Sequence, residues 1–470
     1  MTATETTPPG APPADLGAPP LGPLDGRYRR VVAPLAEHLS EAALNRERVR
    51  VEVEWLVHLT RTGAVPGVRT LTDDEVALLR DVVAGFGAAD VAELGAIERE
   101  TLHDVKAVEY YLKRRLEGTS LTDVAELVHL FCTSEDVNNL AYALMIRDAV
   151  TRVWLPSARA LVTELAALAR GARGVAMLAR THGQPATPTT LGKELAVLAA
   201  RLDRQLRRVG RAEYLGKLNG ATGTYAAHVV GAPGTDWEAV SRGFVEGLGL
   251  TWNPLTTQIE PHDWQAELYS DVARFNRVLH NLCTDVWTYV SLGYFVQVRG
   301  QGTVGSSTMP HKVNPIRFEN AEANLEVSNA LLDVLASTLV TSRLQRDLTD
   351  SSMQRNVGTA FGHSLLAVDN VRRGLAGLDV DRAATARDLD ATWEVLGEAV
   401  QSVMRVHGLE QPYERLKDLT RGRRVDREAL REFVLGLGLP PDAEQRLLDL
   451  TPATYTGLAP ALVDHLRGGA

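Results

Sequence analysis

Apolar residues recur at intervals of three and four along much of this chain, which is the spacing of a helix with one buried face. The longest apolar stripe lies between residues 263 and 298, and similar stripes lie at 189–209, 318–339 and 137–168. Pro156 interrupts the last of these and predicts a kink or a restart of the helix. Few segments alternate apolar and polar residues over the length of a strand. The pattern therefore predicts an all-α fold with a central section of long helices.

Shorter helices around Gly and Pro breaks flank the long ones, and they predict two smaller domains. We expect an N-terminal helical domain at 24–120, a central long-helix bundle at 121–370 and a C-terminal helical domain at 371–470. Residues 1–23 hold seven prolines among Ala, Gly and Thr, a composition that favours extended, solvated chain and predicts a disordered tail. Long packed helices retain apolar surface that a partner subunit can cover, so we expect a homo-oligomer.

Composition excludes several classes of protein. No stretch approaches the roughly 18 consecutive apolar residues of a membrane span, and the N-terminus lacks the basic start and apolar block of an export signal. Two cysteines, Cys132 and Cys283, are too few for a disulfide framework or a Cys-based zinc site. A net charge of -9 argues against a nucleic-acid partner, which needs a basic face. We therefore expect a cytoplasmic protein that binds neither nucleic acid nor membrane.

Polar segments rich in reactive side chains interrupt the helices, and they are the candidates for chemistry. They lie at 102–110, 133–140, 180–188, 256–263, 305–315 and 343–355. The histidines of these segments lie on separate stretches and form no HExxH pattern, so we expect no metal site.

The stretch GSSTMPHKVNP, residues 305–315, begins with Gly305, which together with the preceding Gly300 and Gly302 supplies the backbone freedom that a closing loop needs. One interpretation is that Ser306 or Ser307 meets a substrate when the loop closes, while Lys312 and backbone N–H groups stabilise negative charge. The other interpretation is an ordinary mobile surface loop. Composition alone leaves both open.

Two further segments each allow a functional and a structural interpretation. In RTHGQPATP, His182 could act as a general acid or base near neutral pH, or it could cap backbone groups in a turn between helices. The arginines of 343–355 could bind an anion through their planar donors, or they could form a salt-bridged helix face with Asp347 and Asp350.

Taken together, these motifs resemble a known family. GSSTMPHKVNP is similar to the signature of the fumarase/aspartase superfamily, whose members release fumarate. RTHGQPATP, TSEDVNNL, HDVKAVEY, TTQIEPHD and the RDLTDS run resemble the adenylosuccinate lyase family, particularly its bacterial branch. His311 supports this choice, since fumarases typically have Gly there and argininosuccinate lyases Gln. The resemblance runs from about Asp25 to the C-terminus.

The resemblance implies three helical domains, a central bundle of five long helices, and a homotetramer whose active sites are shared between subunits. It implies an enzyme of purine biosynthesis that needs no cofactor. Such an enzyme eliminates fumarate from adenylosuccinate, giving AMP, and from succinylaminoimidazole-carboxamide ribotide, by general base and general acid catalysis.

The resemblance also implies roles for individual residues. Ser306 would be the base that removes the proton from the succinyl carbon, and His182 the acid that protonates the leaving nitrogen. Residues expected to hold the succinyl carboxylates and their developing charge are Lys312, Asn314, Ser307, Thr133, Ser134 and Gln258. Those expected to grip the phosphate and nucleotide end are Arg27, Tyr28, Arg346, Ser351 and Arg355, while His103, Asp104 and Asn320 would line the site. Leu102 departs from the family, which often has a polar residue there.

The sequence leaves three alternatives. Argininosuccinate lyase is the nearest enzymatic one, and it would not need the phosphate grip of Arg27, Arg346 and Arg355. A lens-crystallin-like structural role would not require intact Ser306 and His182. A scaffold would not explain a loop with serine, lysine and asparagine in this order.

Overall fold

The computed structural model describes residues 21–297, 313–420 and 425–466. These residues divide into two compact units. Of the described residues, the first unit comprises 21–154, 213–264 and 337–366, and the second comprises 155–212, 265–297, 313–336, 367–420 and 425–466. Each unit combines segments that are distant in the sequence, and the predicted domain boundaries at residues 120 and 370 stay predictions.

Five helices form the described N-terminal part of the first unit, residues 21–116. They are α1 Arg29–Leu39, α2 Glu41–Thr62, α3 Asp73–Ala84, α4 Ala88–Thr101 and α5 Asp104–Leu116. Ser40 caps α2 by accepting the Ala43 N–H, and Gly63 ends it in the left-handed conformation. At 22 residues α2 is longer than the short helices predicted for this section. Its buried face includes the charged residues Glu47, Arg48 and Glu52, which interrupt the apolar stripe. The apolar spacing alone therefore did not reveal the length of the helix.

The helix predicted from residue 137 onward is observed in two parts. It begins with α6 Ser134–Ala149, continues through the π-helical segment Val150–Trp154, and resumes as α7 Leu155–Gly171. The predicted restart at Pro156 is confirmed, since this residue occupies the first turn of α7, where a missing N–H costs least. Thr133 is the N-cap of α6, as its sequence predicts.

The remaining helices follow in chain order, and 3₁₀ turns lie at Thr122–Leu127, Trp393–Leu396 and Val463–His465. The helices are α8 Leu191–Val209, α9 Ala226–Gly231, α10 Trp237–Gly247, α11 Asp263–Ser291, α12 Ile316–Leu339, α13 Thr349–Gln354, α14 Val357–Ala376, α15 Arg382–Asp390, α16 Gly397–Val406, α17 Pro412–Thr420, α18 Arg427–Leu435, α19 Pro441–Leu448 and α20 Ala459–Leu462. Five long helical segments, formed by α6 with α7, α8, α11, α12 and α14, therefore occur in the described central part of the chain. The prediction of a helical fold with long central helices is confirmed.

Helix α11 is shorter than its apolar stripe predicts. It ends at Ser291 rather than near residue 298, because Gly293 turns the chain with a positive φ of 74°. The next residues, Phe295–Gln297, form a strand that pairs antiparallel with Leu378–Val380. None of the helices in the described ranges has the length and apolar character that a membrane crossing requires.

The described strands form three two-stranded sheets. They are β1 Ala176–Thr181, β2 Gln184–Thr190, β3 Leu215–Gly216, β4 Thr251–Trp252, β5 Phe295–Gln297 and β6 Leu378–Val380. The β1–β2 hairpin corrects the prediction of a plain turn between helices around His182. Thr181 pairs with Gln184, so His182 and Gly183 are the two turn residues, both with positive φ, as a tight hairpin turn requires.

Candidate active site

The N-terminus of α6 carries two of the predicted substrate residues. Thr133 is the N-cap, and its backbone N–H donates to the Asp136 carboxylate at 2.8 Å. Ser134 is the first helical residue, and both side chains are half-buried. Free N–H groups and the helix dipole favour negative charge at such a terminus. The segment is therefore suited to hold a carboxylate.

Arg346 brings two other predicted segments to this terminus. Its guanidinium Nη2 lies 2.8 Å from Oε1 of Glu135, the residue after Ser134. Its Nη1 donates to Oε1 of Gln258 at 3.3 Å, and the Gln258 amide nitrogen donates to the Ala221 carbonyl at 2.9 Å. These contacts place a predicted nucleotide-gripping arginine against a predicted succinyl-binding glutamine.

The Glu135 carboxyl is unusual because it is only 3% exposed. Burial raises its pKa, since desolvation disfavours the charged form, while Arg346 and a hydrogen bond from Asn138 act in the opposite direction. The Asn138 amide nitrogen donates to Glu135 Oε1 at 2.7 Å. Glu135 thus holds Arg346 in place from inside the protein.

A second arginine contact lies at the start of α5. Arg355 Nη2 lies 3.4 Å from the Asp104 carboxylate, and its Nη1 lies 2.6 Å from Glu41 at the start of α2. Arg48 approaches the same Asp104 oxygen at 2.7 Å. Burial, the largest influence, tends to raise the pKa of Asp104, but Arg48, the Val105 N–H and Arg355 together lower it. Asp104 is therefore a charged group that orients Arg355.

Arg48 joins the two arginine contacts into one network. Its side chain is buried, and its Nε donates to the Asn138 side-chain oxygen at 2.9 Å. Hydrogen bonds and ion pairs therefore run continuously through Arg355, Asp104, Arg48, Asn138, Glu135, Arg346 and Gln258. Sequence reasoning missed Arg48 and Glu41. For Arg48 the available signal was a charged residue among apolar positions of α2, since a buried charge seldom stays unpaired. Glu41 is exposed at the start of the helix and gave no such signal.

Other predicted residues of the first unit lie at the starts of α5, α1 and α13. His103 is the N-cap of α5, and its Nδ1 accepts the Lys106 N–H at 3.2 Å. In the neutral ring the proton is therefore on Nε2, which can donate to a ligand. Tyr28 is the N-cap of α1, with the Arg27 guanidinium carbon 5.8 Å from its ring centroid. Ser351 lies in the first turn of α13.

Two cavities within the first unit adjoin Arg346 and Arg355. One, of about 490 Å³, is lined by Ala221, Thr222, Gln258 and residues 344–348. The other, of about 360 Å³, lies between residues 21–25, α1 and the start of α14, with Arg355 in its wall. The first cavity is therefore lined in part by Arg346, and the second by Arg355.

Three predicted residues lie in the described part of the second unit. His182 is exposed at the tip of the β1–β2 hairpin with a φ of 54°. A non-glycine residue in this region stores roughly 1 kcal/mol of strain, and such strain is common at functional sites. The Asn320 side-chain oxygen accepts the Asn370 amide at 2.9 Å. Asn314 lies half-buried just before α12.

The predicted base and cation of the loop lie outside the described residues. These are Ser306, Ser307 and Lys312, and their roles stay predictions. Among the described residues, no group of three or more His, Cys, Asp and Glu side chains could hold a metal ion.

The sequence matches two family models that together span most of the chain. A model described as Lyase matches residues 26–327, and one described as Adenylosuccinate lyase C-terminal matches residues 342–456. Two solved structures share the fold at 22% sequence identity. A fumarate lyase from Mesorhizobium sp. BNC1 has a TM-score of 0.75, with 93% of this chain and 98% of that chain covered. A 3-carboxy-cis,cis-muconate lactonizing enzyme from Pseudomonas putida has a TM-score of 0.73, with 92% and 96% covered.

Curated relatives are much closer in sequence. The adenylosuccinate lyase of Escherichia coli (strain K12) is 49% identical over 448 residues, covering 95% of this chain and 98% of the relative. That of Haemophilus influenzae (strain ATCC 51907 / DSM 11121 / KW20 / Rd) is 47% identical over 447 residues, with the same two coverages. With this identity over nearly the full length of both proteins, the chain belongs to the adenylosuccinate lyase family.

Proposed function

We propose that the chain eliminates fumarate from adenylosuccinate to give AMP, and from succinylaminoimidazole-carboxamide ribotide to give its carboxamide product. The observation that carries this proposal is the contact of Arg346 with both Gln258 and Glu135. It connects a cation suited to a phosphate with a helix N-terminus and an amide suited to carboxylates. Adenylosuccinate carries these two kinds of anion at its two ends.

In the proposed reaction, Ser306 removes a proton from the succinyl carbon next to a carboxylate. The electrons of the broken C–H bond form the carbon–carbon double bond of fumarate, and the C–N bond breaks. His182 supplies the proton that the departing nitrogen accepts. Ser307 is the alternative base, and variants at the two serines separate them.

The proposed binding mode uses the two ends of the network in different ways. Thr133, Ser134, Gln258, Lys312 and Asn314 hold the succinyl carboxylates and the charge that develops on them. The nucleotide and its phosphate contact the groups assigned from the resemblance, namely Arg27, Tyr28, His103, Asp104, Asn320, Arg346, Ser351 and Arg355. The ion pairs within the first unit keep the arginines oriented before substrate binds, which lowers the cost of ordering them.

We extend the proposal to assembly and location. The protein is a cytoplasmic homotetramer with active sites shared between subunits, and it uses no cofactor. Sedimentation at several protein concentrations tests the tetramer. Mixing two inactive variants, one at His182 and one at Ser306, tests shared sites, because mixed tetramers with intact sites regain activity and unshared sites stay inactive.

The substrate class is tested by comparing adenylosuccinate with its dephosphorylated nucleoside and with argininosuccinate. We expect fumarate only from the phosphorylated purine substrates at micromolar concentration, with AMP as the second product of adenylosuccinate. Equal turnover of the dephosphorylated nucleoside would contradict the proposed binding of the phosphate. Turnover of argininosuccinate alone would replace the proposed substrate.

A further inference from the structure

A buried ion pair lies directly behind the N-terminus of α6. Asp136 and Lys217 are both fully buried, and the Lys217 Nζ lies 2.8 Å from Asp136 Oδ1. The same carboxylate accepts the backbone N–H groups of Thr133, Asn219 and Gly220 at 2.8, 3.0 and 3.1 Å. A buried charge is tolerated only when its partners satisfy it, and here four donors do so.

Residues 217–223 form a loop that this carboxylate holds against α6. Asn139 fixes the start of the 217–223 loop from the same helix. Its side-chain oxygen accepts the Lys217 N–H at 2.8 Å, and its amide nitrogen donates to the Lys217 carbonyl at 3.0 Å. The loop is thereby attached to the first two turns of α6 through three side chains, those of Asp136, Asn139 and Lys217.

The opposite side of the 217–223 loop holds the segment that carries Gln258. The Asn219 amide nitrogen donates to Thr256 Oγ1 at 2.7 Å, and the Ala221 carbonyl accepts the Gln258 amide nitrogen at 2.9 Å. Gly223 approaches so closely that an added Cβ would lie 2.4 Å from the Thr256 carbonyl oxygen. The loop is therefore hydrogen-bonded to α6 on one side and, at Gly223, packs closely against residues 256–258 on the other.

We propose that Asp136 and Lys217 are positioning residues for the elimination, acting through the 217–223 loop to set the spacing between Thr133–Ser134 and the Gln258 amide. This inference rests on the proposed function, in which those groups hold the succinyl carboxylates. Neither charged residue reaches the substrate. Lys217 acts through Asp136, by pairing with the buried carboxylate and holding it oriented toward its three backbone donors.

The test is Asp136→Asn, which keeps the size of the side chain but turns an amide NH₂ toward backbone N–H donors. We expect kcat/KM for adenylosuccinate to fall about 100-fold, because misplacement of a binding group by about 1 Å costs this much. The inhibition constant of AMP should stay within about twofold, because AMP lacks the succinyl group. Equal weakening of AMP and adenylosuccinate, or an unchanged kcat/KM, overturns the proposal.

Val434→Ala serves as the structural control, since Val434 is a buried core residue of the C-terminal helices. It should lower the unfolding temperature without changing kcat/KM at a temperature where both variants are folded. The double variant Asp136→Asn/Lys217→Met should match Asp136→Asn in kcat/KM. A further tenfold loss would show that Lys217 acts independently and would overturn its assignment.

Thr256→Val is the alternative test of the proposal if Asp136→Asn does not fold. It removes the acceptor of the Asn219 amide while keeping the side-chain shape, and it should raise KM for adenylosuccinate about tenfold with AMP inhibition unchanged. An unchanged KM overturns the inference. If the wild-type protein itself releases no fumarate, the proposed function fails instead, so the two failures are distinguishable.

Discussion

His228 provides a sharp prediction about stability in acid. Its ring is fully buried, stacks on Phe131 with centroids 4.9 Å apart, and meets Trp237 edge-on at 4.8 Å. Within the described residues neither ring nitrogen has a hydrogen-bond partner. Burial lowers its pKa to about 4, and among nearby charges Asp136 raises it while Lys217 lowers it.

The lowered pKa of His228 sets the size and the sign of the change in unfolding free energy with pH. The folded pKa of about 4 lies below the ordinary 6.5, so His228 contributes stability that is present above pH 6.5 and lost as the pH falls through 4. At 1.36 kcal/mol per pH unit, the loss between pH 7 and pH 4 is about 3 kcal/mol. Protonation would place a second cation near Lys217 in the same buried region.

The assay is urea unfolding of the wild type and His228→Gln at pH 7, 6, 5 and 4, followed by tryptophan fluorescence. Replacing the histidine lowers stability at pH 7 by removing ring contacts, but only the change with pH matters. Between pH 7 and pH 4 the wild type should lose about 3 kcal/mol more of its unfolding free energy than the variant loses. A parallel pH dependence in both proteins would refute the assignment.

Three further predictions concern the site. Arg346→Ala should raise KM for phosphorylated substrate about 10- to 100-fold in steady-state kinetics, as expected for lost charge-assisted hydrogen bonds. Arg343 is exposed, so Arg343→Ala should leave KM unchanged. Equal effects of the two substitutions would place the phosphate elsewhere. Gly223→Ala should lower the unfolding temperature more than Gly118→Ala. Both glycines have φ above 70°, but only at Gly223 would the added Cβ lie 2.4 Å from a carbonyl oxygen. Equal decreases of the unfolding temperature in calorimetry would contradict the close packing at Gly223. Ser306→Ala should abolish fumarate release while adenylosuccinate still binds by calorimetry, and near-normal turnover would exclude Ser306 as the base.

The sequence predicted those features that depend on local pattern. Apolar stripes located the long helices, and the Thr133 N-terminus of α6 followed from its capping residues. The motifs identified the adenylosuccinate lyase family, which the family models and relatives confirm. The individual site assignments stay predictions, since no comparison tests them.

Features that depend on pairing between distant segments could not be predicted. The strand at Phe295–Gln297 exists because Leu378–Val380 pairs with it, and no local alternation marks it. The β1–β2 hairpin was hidden by prolines at 185 and 188, which usually argue against strands. Asp136 has the position of a capping residue, but its pairing with Lys217 follows only from the folded chain.

The most direct test of the proposed reaction is the yield of products from adenylosuccinate. Purified wild-type protein is mixed with a known amount of substrate, and AMP and fumarate are quantified separately by chromatography. The proposed elimination predicts that both appear in equal amounts as the substrate disappears. Folded protein that leaves adenylosuccinate intact, or that releases AMP without fumarate, would contradict it.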